Sequence, residues 1–498
     1  MCSRFIVFCA GLALLLGIVY VYTSPGLGNL QVVFAAGLLG LYVVTMFRNP
    51  GRGLLVIAAT QPFLGVLRRI LYQQSPVSFD VLLLVGPAFC LIMVLTISME
   101  YRQQLTELVR ESLTTRLLLW LMIVFTLEMA NPLQGSLVVG VAGGLFYLVP
   151  VSWFLVGRIF LTDEIFRKIL VVFVACGVIG ACYGLYQTLV GFPPWDQFWI
   201  TQVRNAGLYN ALGTGGSTIR PLGPATSAAE YASFLAAALV CLTALALFRW
   251  KVLLLIPAGL VASALFLEAS RSFVLLSAAT LVVLLALRQR NRAAATTVLI
   301  VVGLVGALTF LNLGDIIYTA GSTSSAAVGN LLEHQINGLA HPFDNRYSTG
   351  QLHLQAIISA FRAVLTNPLG FGLGASTMSA AKFGTAGISA EIDIPNVFVS
   401  GGLLGGLLYV AILYRTFRAG LIIAFRYKRI TDVLPVAVLA VMFTQILNGG
   451  YYSLMPFVWM FVAWIDRRSV EVFGPRLPAK SRRAMVNLPL LQEPVRGQ

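Results

Sequence analysis

An all-α, polytopic integral membrane fold is what this sequence predicts, and three observations predict it. The chain of 498 residues is 58% hydrophobic and only 11% charged, with a mean hydropathy of +0.86, where soluble domains carry roughly 25% charged residues. Its apolar residues come in continuous runs of about 20, the length of a spanning helix, whereas barrel strands alternate over about 10. The basic residues gather on one side of the topology that those runs define. That placement accounts for the net charge of +15, so no nucleic-acid partner is expected.

The runs lie near residues 5 to 22, 28 to 47, 53 to 72, 78 to 99, 115 to 131, 135 to 157, 168 to 190, 227 to 248, 251 to 268, 272 to 288, 295 to 313, 395 to 414, 433 to 448 and 450 to 466. The third and the last two are interrupted, which gives about 12 to 14 transmembrane helices. The first run follows Arg4 and imitates a signal peptide, but it is long and no small-residue cleavage site follows, so it reads as a retained span. With the N-terminus in the cytoplasm, loops 48 to 52, 100 to 116, 158 to 168, 249 to 251, 288 to 294 and 415 to 432 and the C-terminal tail are inside. Of the 34 Lys and Arg, only Arg68, Arg69, Arg204, Arg220, Arg271, Arg346, Arg362 and Lys382 then fall outside. Arg68 and Arg69 breach the rule locally and suggest a re-entrant third segment. The six cysteines lie in or beside apolar runs without a CxxC spacing and read as small buried residues.

Five regions follow: N-terminal helices over 1–190, a first outer loop with central helices over 191–313, a large outer loop over 314–394, C-terminal helices over 395–466, and a basic tail over 467–498 near anionic headgroups. The first outer loop, 191 to 226, is rich in Gly, Pro and Trp and carries Trp195, Asp196, Trp199, Arg204 and Arg220. In the second, Leu352, Ala356, Ile357, Ala360, Phe361 and Leu365 recur at helical spacing, predicting a helix on the membrane surface. Asn367-Pro368 ends it, and the glycines of Leu369-Gly370-Phe371-Gly372-Leu373-Gly374 permit a tight turn. A polar stretch then closes on Glu391-Ile392-Asp393-Ile394-Pro395-Asn396 before Gly401-Gly402-Leu403-Leu404-Gly405-Gly406 enters a new apolar run. Residues 345 to 406 contain the longest polar interruption in the chain, so chemistry on a water-soluble group belongs there.

Arg220, before the eighth run, is shaped to grip a phosphate or pyrophosphate through paired hydrogen bonds, or to snorkel to lipid phosphates. Arg271 lies in a short outer hairpin, where it either faces the same cavity or pairs with Glu268 across a helical turn. Glu230, one turn inside the eighth run, calls for a partner such as Arg220 or Arg271. Glu391 and Asp393 stand at the water boundary, where a carboxylate accepts a proton from a sugar hydroxyl; the residues alone do not choose between them. His334, His341 and His353 match no zinc spacing, and neither a metal nor another cofactor is expected.

In order, Tyr186-Gln187, Arg220-Pro221-Leu222-Gly223-Pro224-Ala225-Thr226, Ala269-Ser270-Arg271, Asn345-Arg346, Asn367-Pro368-Leu369-Gly370-Phe371-Gly372 and Gly402-Leu403-Leu404-Gly405 resemble the O-antigen ligase and polymerase superfamily of bacterial membrane glycosyltransferases. The resemblance covers about 186 to 408, through short motifs whose order and shared outer placement carry it. It implies a GT-C-like multi-pass enzyme of the inner membrane with its active site facing the periplasm. It also implies metal-independent, inverting glycosyl transfer from undecaprenyl diphosphate, with Arg220, Arg271 and Arg346 holding the pyrophosphate. Ligases carry a His-Asn pair about ten residues before the last Gly-rich span; here that place holds Glu391 or Pro395-Asn396. The departure favours the polymerase branch, with Asp393 or Glu391 as base, and the resemblance adds a chain-length co-polymerase and a flippase as partners.

The leading expectation is therefore a polysaccharide polymerase for O-antigen, capsule or exopolysaccharide. An O-antigen ligase or protein O-oligosaccharyltransferase shares the chemistry with another acceptor. A lipid-linked oligosaccharide transporter is the non-enzymatic rival, but internal repeats and deep intramembrane charges, common in transporters, are not visible in the sequence.

Overall fold

The computed structural model describes residues 29–74, 80–205, 211–212, 218–249, 251–289, 326–341, 343–344, 350–377, 380, 387–390, 392–447 and 454–474. The expected spans at 5 to 22 and 295 to 313, Arg346, Glu391, Lys382 and the tail after Gly474 lie outside them. Every expected run inside them is helical over most of its described length. In order come α1 (Asn29–Arg48), α2 (Pro50–Thr60), α3 (Leu64–Gln74), α4 (Val85–Glu100), α5 (Arg102–Glu111), α6 (Leu113–Glu128), α7 (Leu137–Phe160), α8 (Asp163–Leu189) and α9 (Pro194–Asn205). After the strand pair β1 (Ala211–Leu212) and β2 (Thr218–Ile219) follow α10 (Ala228–Arg249), α11 (Leu255–Leu267), α12 (Arg271–Arg288), α13 (Ala326–Ala340), α14 (Gly350–Thr366), α15 (Asp393–Tyr427), α16 (Ile430–Val441) and α17 (Met455–Phe473). Eight described helical stretches are long and apolar enough to cross a membrane, and Val252–Leu267 and Ile430–Val441 are shorter apolar helices. The protein is an all-α, multi-pass membrane protein.

Helix α10 is its axis. Nearly all of α10 is buried, and it packs against α8, α11, α12 and α16. Its sequence explains this: alanines interleave with leucines on every face, so no polar stripe exists to turn toward solvent and neighbouring backbones approach closely. At Gly177 on α8 an added Cβ would lie 2.4 Å from Ala238 Cβ. A second seam joins α7 to α17, where Gly157 faces Ala463.

The run at 53 to 72 forms one helical stretch long and apolar enough to cross a membrane, Pro50–Gln74, in which a 3-10 turn over Gln61–Phe63 containing Pro62 joins α2 to α3. Two expectations need correction. The expected loop at 415 to 432 is helical to Tyr427, so α15 runs over 35 residues. Its arginines are good helix formers set among apolar residues at helical spacing, and the helix ends only where Lys428 adopts φ 52°. Conversely, the run at 433 to 448 stops being helical at Val441.

Helix α15 bends sharply at Gly402, whose φ of 64° no helix accommodates. The bend receives the turn that follows α14. The Phe371 amide donates to the Val399 carbonyl at 2.8 Å, and the Leu403 amide to the Pro368 carbonyl at 2.8 Å. The two glycine-bearing motifs therefore meet backbone to backbone. Opposing contacts sort the helix ends into two groups: one holds Arg220, Arg271 and the α14–α15 joint, and the other holds Arg158, Asp466 and Lys428.

An alanine at Gly402 would combine a left-handed backbone with a Cβ 2.5 Å from the Leu369 carbonyl carbon. Gly402→Ala is expected to destabilise the protein by about 2 kcal/mol, read as a lower Tm in detergent. Gly37→Ala, where nothing lies within 4 Å of the new methyl, should leave the Tm unchanged or raise it.

Candidate functional site

The site is built on a loop whose shape a buried guanidinium fixes. Arg69, on α3, is 1% exposed and pairs with the fully buried Asp196 of α9. Its two terminal nitrogens donate to the carbonyls of Gly223 and Ala225. Asp196 also accepts from the Tyr183 hydroxyl at 2.7 Å and from Gln187 Nε2 at 2.6 Å. Gln187 Oε1 in turn accepts the amides of Leu222 at 3.0 Å and Gly223 at 2.8 Å. Four hydrogen bonds from two side chains, Arg69 and Gln187, thus hold the backbone between Arg220 and Thr226. Gly223, at φ 51°, is needed because a Cβ there would lie 2.3 Å from the Tyr231 ring.

This network explains the breach of the positive-inside pattern. Arg69 and Arg68 are consumed by carboxylates, Arg68 by Asp80 at 2.5 Å with Trp199 stacked 5.0 Å from its guanidinium carbon. Neither is a free surface charge. The Tyr186-Gln187 motif likewise acquires a physical role, through the Gln187 amide.

Arg220, at the loop's start, donates through Nε to the Glu268 carbonyl at 3.0 Å and pairs through Nη2 with the Glu268 carboxylate. Glu268 is fully buried and its Oε2 has no hydrogen-bond partner among the described residues. The expected alternative of a Glu268–Arg271 pair is not what forms. Between them Ala269 holds φ 67°, a conformation that costs a β-carbon-bearing residue of order 1 kcal/mol or more. This hairpin turns Arg271 into the first position of α12. There Arg271 Nη2 lies 2.8 Å from His334 Nε2. Guanidinium always donates, so Nε2 accepts and the imidazole proton sits on Nδ1. Gly338, one turn beyond His334 on α13, makes room: a Cβ there would overlap the Arg271 guanidinium, 1.9 Å from Nη1.

The arrangement is cationic. Among the described residues Arg271 has no carboxylate partner, only neutral His334, and the single carboxylate nearby is taken by Arg220. Burial and then the charges of Arg271 and Arg220 push the His334 pKa down from 6.5 to about 4. A half-buried guanidinium without a counter-charge, beside a second one that is held in place, fits a doubly charged oxyanion. The amide end of α12 points its positive dipole to the same corner, and Ser270 makes no side-chain cap there.

The structure therefore brings together Arg220 and Arg271 of the expected set, and adds Glu268, His334, Gly338 and the bracing Arg69, Asp196 and Gln187. Glu230 caps α10, accepting the Thr226 amide at 2.8 Å while its own amide donates to Ser227 Oγ, a capping-box arrangement. Asp393 belongs to another cluster. Its carboxylate is buried and accepts from the Tyr409 hydroxyl at 3.1 Å and the Leu447 amide at 2.5 Å, while its own amide donates to the Thr444 carbonyl. The role visible for it is to tie the start of α15 to the unwound segment after α16. That the expected base is engaged by protein donors follows from the non-helical stretch 442–447, whose amides need an acceptor. Arg346 and Glu391 lie outside the described residues. A charged residue inside an apolar run was the available signal for Arg69; nothing in the sequence distinguishes His334 from His341 or His353.

No protein-family model matches the chain, and no curated protein matches it.

Asp196→Asn would leave Arg69 buried without its counter-charge, and a loss of about 3 kcal/mol or more is expected in thermal unfolding. His334 should titrate near pH 4 in imidazole-labelled NMR, with assignment by His334→Gln. The unfolded chain takes up this proton near 6.5 and the folded one near 4. Its docking therefore contributes fully above pH 6.5 and progressively less as pH falls from 6.5 toward 4.

Proposed function

We propose that the protein is a lipid-linked glycan polymerase, with Arg220 and Arg271 holding the donor's pyrophosphate. The observation that carries this reading is the unneutralised Arg271 guanidinium beside Arg220, in a corner positive enough to keep His334 neutral. Support also comes from the order of motifs that resembles the O-antigen ligase and polymerase superfamily, and from the meeting of two of them at Gly370 and Gly402. In this reading the site faces the periplasm and the protein sits in a bacterial inner membrane. Arg346, next to Asn345 in the outer loop, supplies a third cation to the same group.

The step is an inverting displacement. An acceptor sugar hydroxyl attacks the anomeric carbon as its proton passes to a carboxylate, and the bond from that carbon to the phosphate oxygen breaks. Undecaprenyl diphosphate leaves with the bonding electrons. Guanidinium groups fixed before the reaction stabilise the negative charge that grows on the leaving phosphate, at no cost of reorganisation. With Asp393 tied to Tyr409 and Leu447, Glu391 carries the base assignment, and Asp393 holds the end of α15 that follows it.

The test is turnover of a synthetic undecaprenyl-diphosphate repeat unit by the purified protein, without ATP or divalent metal. A ladder of longer products is expected. Product formed only on adding lipid A core or a protein would transfer the reading to a ligase or protein O-oligosaccharyltransferase. Lipid movement across vesicles without any product would replace it with transport. Arg271→Ala, whose partner is neutral, should keep the Tm and lower kcat/KM about hundredfold or more; unchanged turnover would remove the pyrophosphate role. Glu391→Gln should lower kcat with the Tm intact, whereas Asp393→Asn should lower the Tm; the reverse pattern would return the base to Asp393.

A further inference from the structure

At the end of the bundle away from Arg220, a cleft of about 440 Å³ opens between the start of α6, the second half of α15 and the end of α17. Arg415 and Arg418 line it from one face of α15, three residues apart, and neither makes a hydrogen bond or ion pair with any described residue. Two carboxylates also line the cleft, Asp466 and Glu111. Asp466, at the cleft's base, is buried between Ser112, which donates to it at 2.7 Å, and Arg158, 3.0 Å away. Glu111 stands at the rim. Beside the two arginines the lining is mixed, and its large apolar side chains, Tyr414, Ile422 and Phe473, are exposed.

The level of the cleft in the bilayer follows from α5. That helix leads directly into α6, has no buried residue, and sets polar and charged residues along most of its length. Such a helix belongs in the headgroup region, lying along the surface. Basic residues also close α1, α10 and α12 at this end, with Arg48, Arg249 and Arg288 in their last turns. Two unpaired guanidiniums at headgroup depth, beside large exposed apolar side chains, have the chemistry of one ligand. It is a phosphate that carries acyl chains.

We propose that this cleft binds an acidic phospholipid, its headgroup phosphate on Arg415 and Arg418 and an acyl chain along Tyr414, Ile422 and Phe473. Guanidinium forks match phosphate oxygens in a way that the bulk negative surface does not, so the site selects the lipid instead of merely attracting it. The chain's own residues 475–498 are a poor competitor by charge, since they hold five basic residues and the single acid Glu493. The inference stands apart from the glycan reading and uses none of its residues.

The experiment is native mass spectrometry of the delipidated full chain titrated with phosphatidylglycerol or phosphatidylcholine, with free glycerol 3-phosphate as a third ligand. The wild-type protein should retain phosphatidylglycerol in preference to phosphatidylcholine and bind glycerol 3-phosphate far more weakly. The Arg415→Gln/Arg418→Gln pair should lose that preference by about tenfold or more with its lipid-free Tm unchanged. The Arg48→Gln/Arg52→Gln pair, exposed arginines at the same end outside the cleft, should keep it. Equal losses in both pairs, equal binding of the two lipids, or binding of phosphatidylglycerol only after removal of residues 475–498 would each overturn the site.

Discussion

The Arg69–Asp196 pair is the constraint on which the half of this protein that carries Arg220 and Arg271 rests. A guanidinium at this depth is costly unless each of its donors is matched, and here a carboxylate and two backbone carbonyls match them. The same requirement, seen from the loop, is that carbonyls at Gly223 and Ala225 need donors where water is scarce. One residue answers both demands, so α3, α9 and the loop before α10 can only be placed together. Gln187 adds the opposite polarity, accepting amides from the loop that Arg69 grips by its carbonyls.

From that frame the cationic corner follows. Arg220 leaves the braced loop in one direction, reaches Glu268, and fixes the hairpin whose left-handed Ala269 starts α12 with Arg271. The outer helix α13 then closes over Arg271 through His334 and Gly338. Each step transfers position from a buried, fully matched group to one less well matched. The surplus positive charge accumulates at the end of that series, on Arg271.

Much of the fold was legible in the sequence because membrane helices announce themselves by length and composition alone. The runs at 28 to 47, 135 to 157, 168 to 190 and 227 to 248 became α1, α7, α8 and α10 with small shifts at their ends. Boundaries failed where composition misleads: charged residues of 415 to 426 continue a helix, and apolar residues of 442 to 447 do not. Arg220 and Arg271 stood out in the sequence because each lies in a loop or short hairpin beside an apolar run. Their partners did not. Glu268 pairs with a residue 48 positions away, and His334 meets Arg271 across 63 positions, distances over which spacing carries no information. The partners of Asp393 were hidden for a related reason, because a carboxylate near water and one that caps a buried turn have the same neighbours in sequence.

The hydrogen bonds that join the turn after α14 to the bend of α15, Phe371 to Val399 and Leu403 to Pro368, run between main-chain atoms. Peptide groups are the same whatever residue bears them, so this clasp holds the outer loop in register while the side chains around it answer to other demands. Leu369 and Leu404 beside it are well exposed, whereas the glycines at 370, 372 and 402, all with positive φ and no room for a Cβ, are pinned. A protein fastened in this way can exchange the side chains around the joint without rebuilding the backbone link between α14 and α15. Change in those side chains is then cheap, and change in the glycines is not.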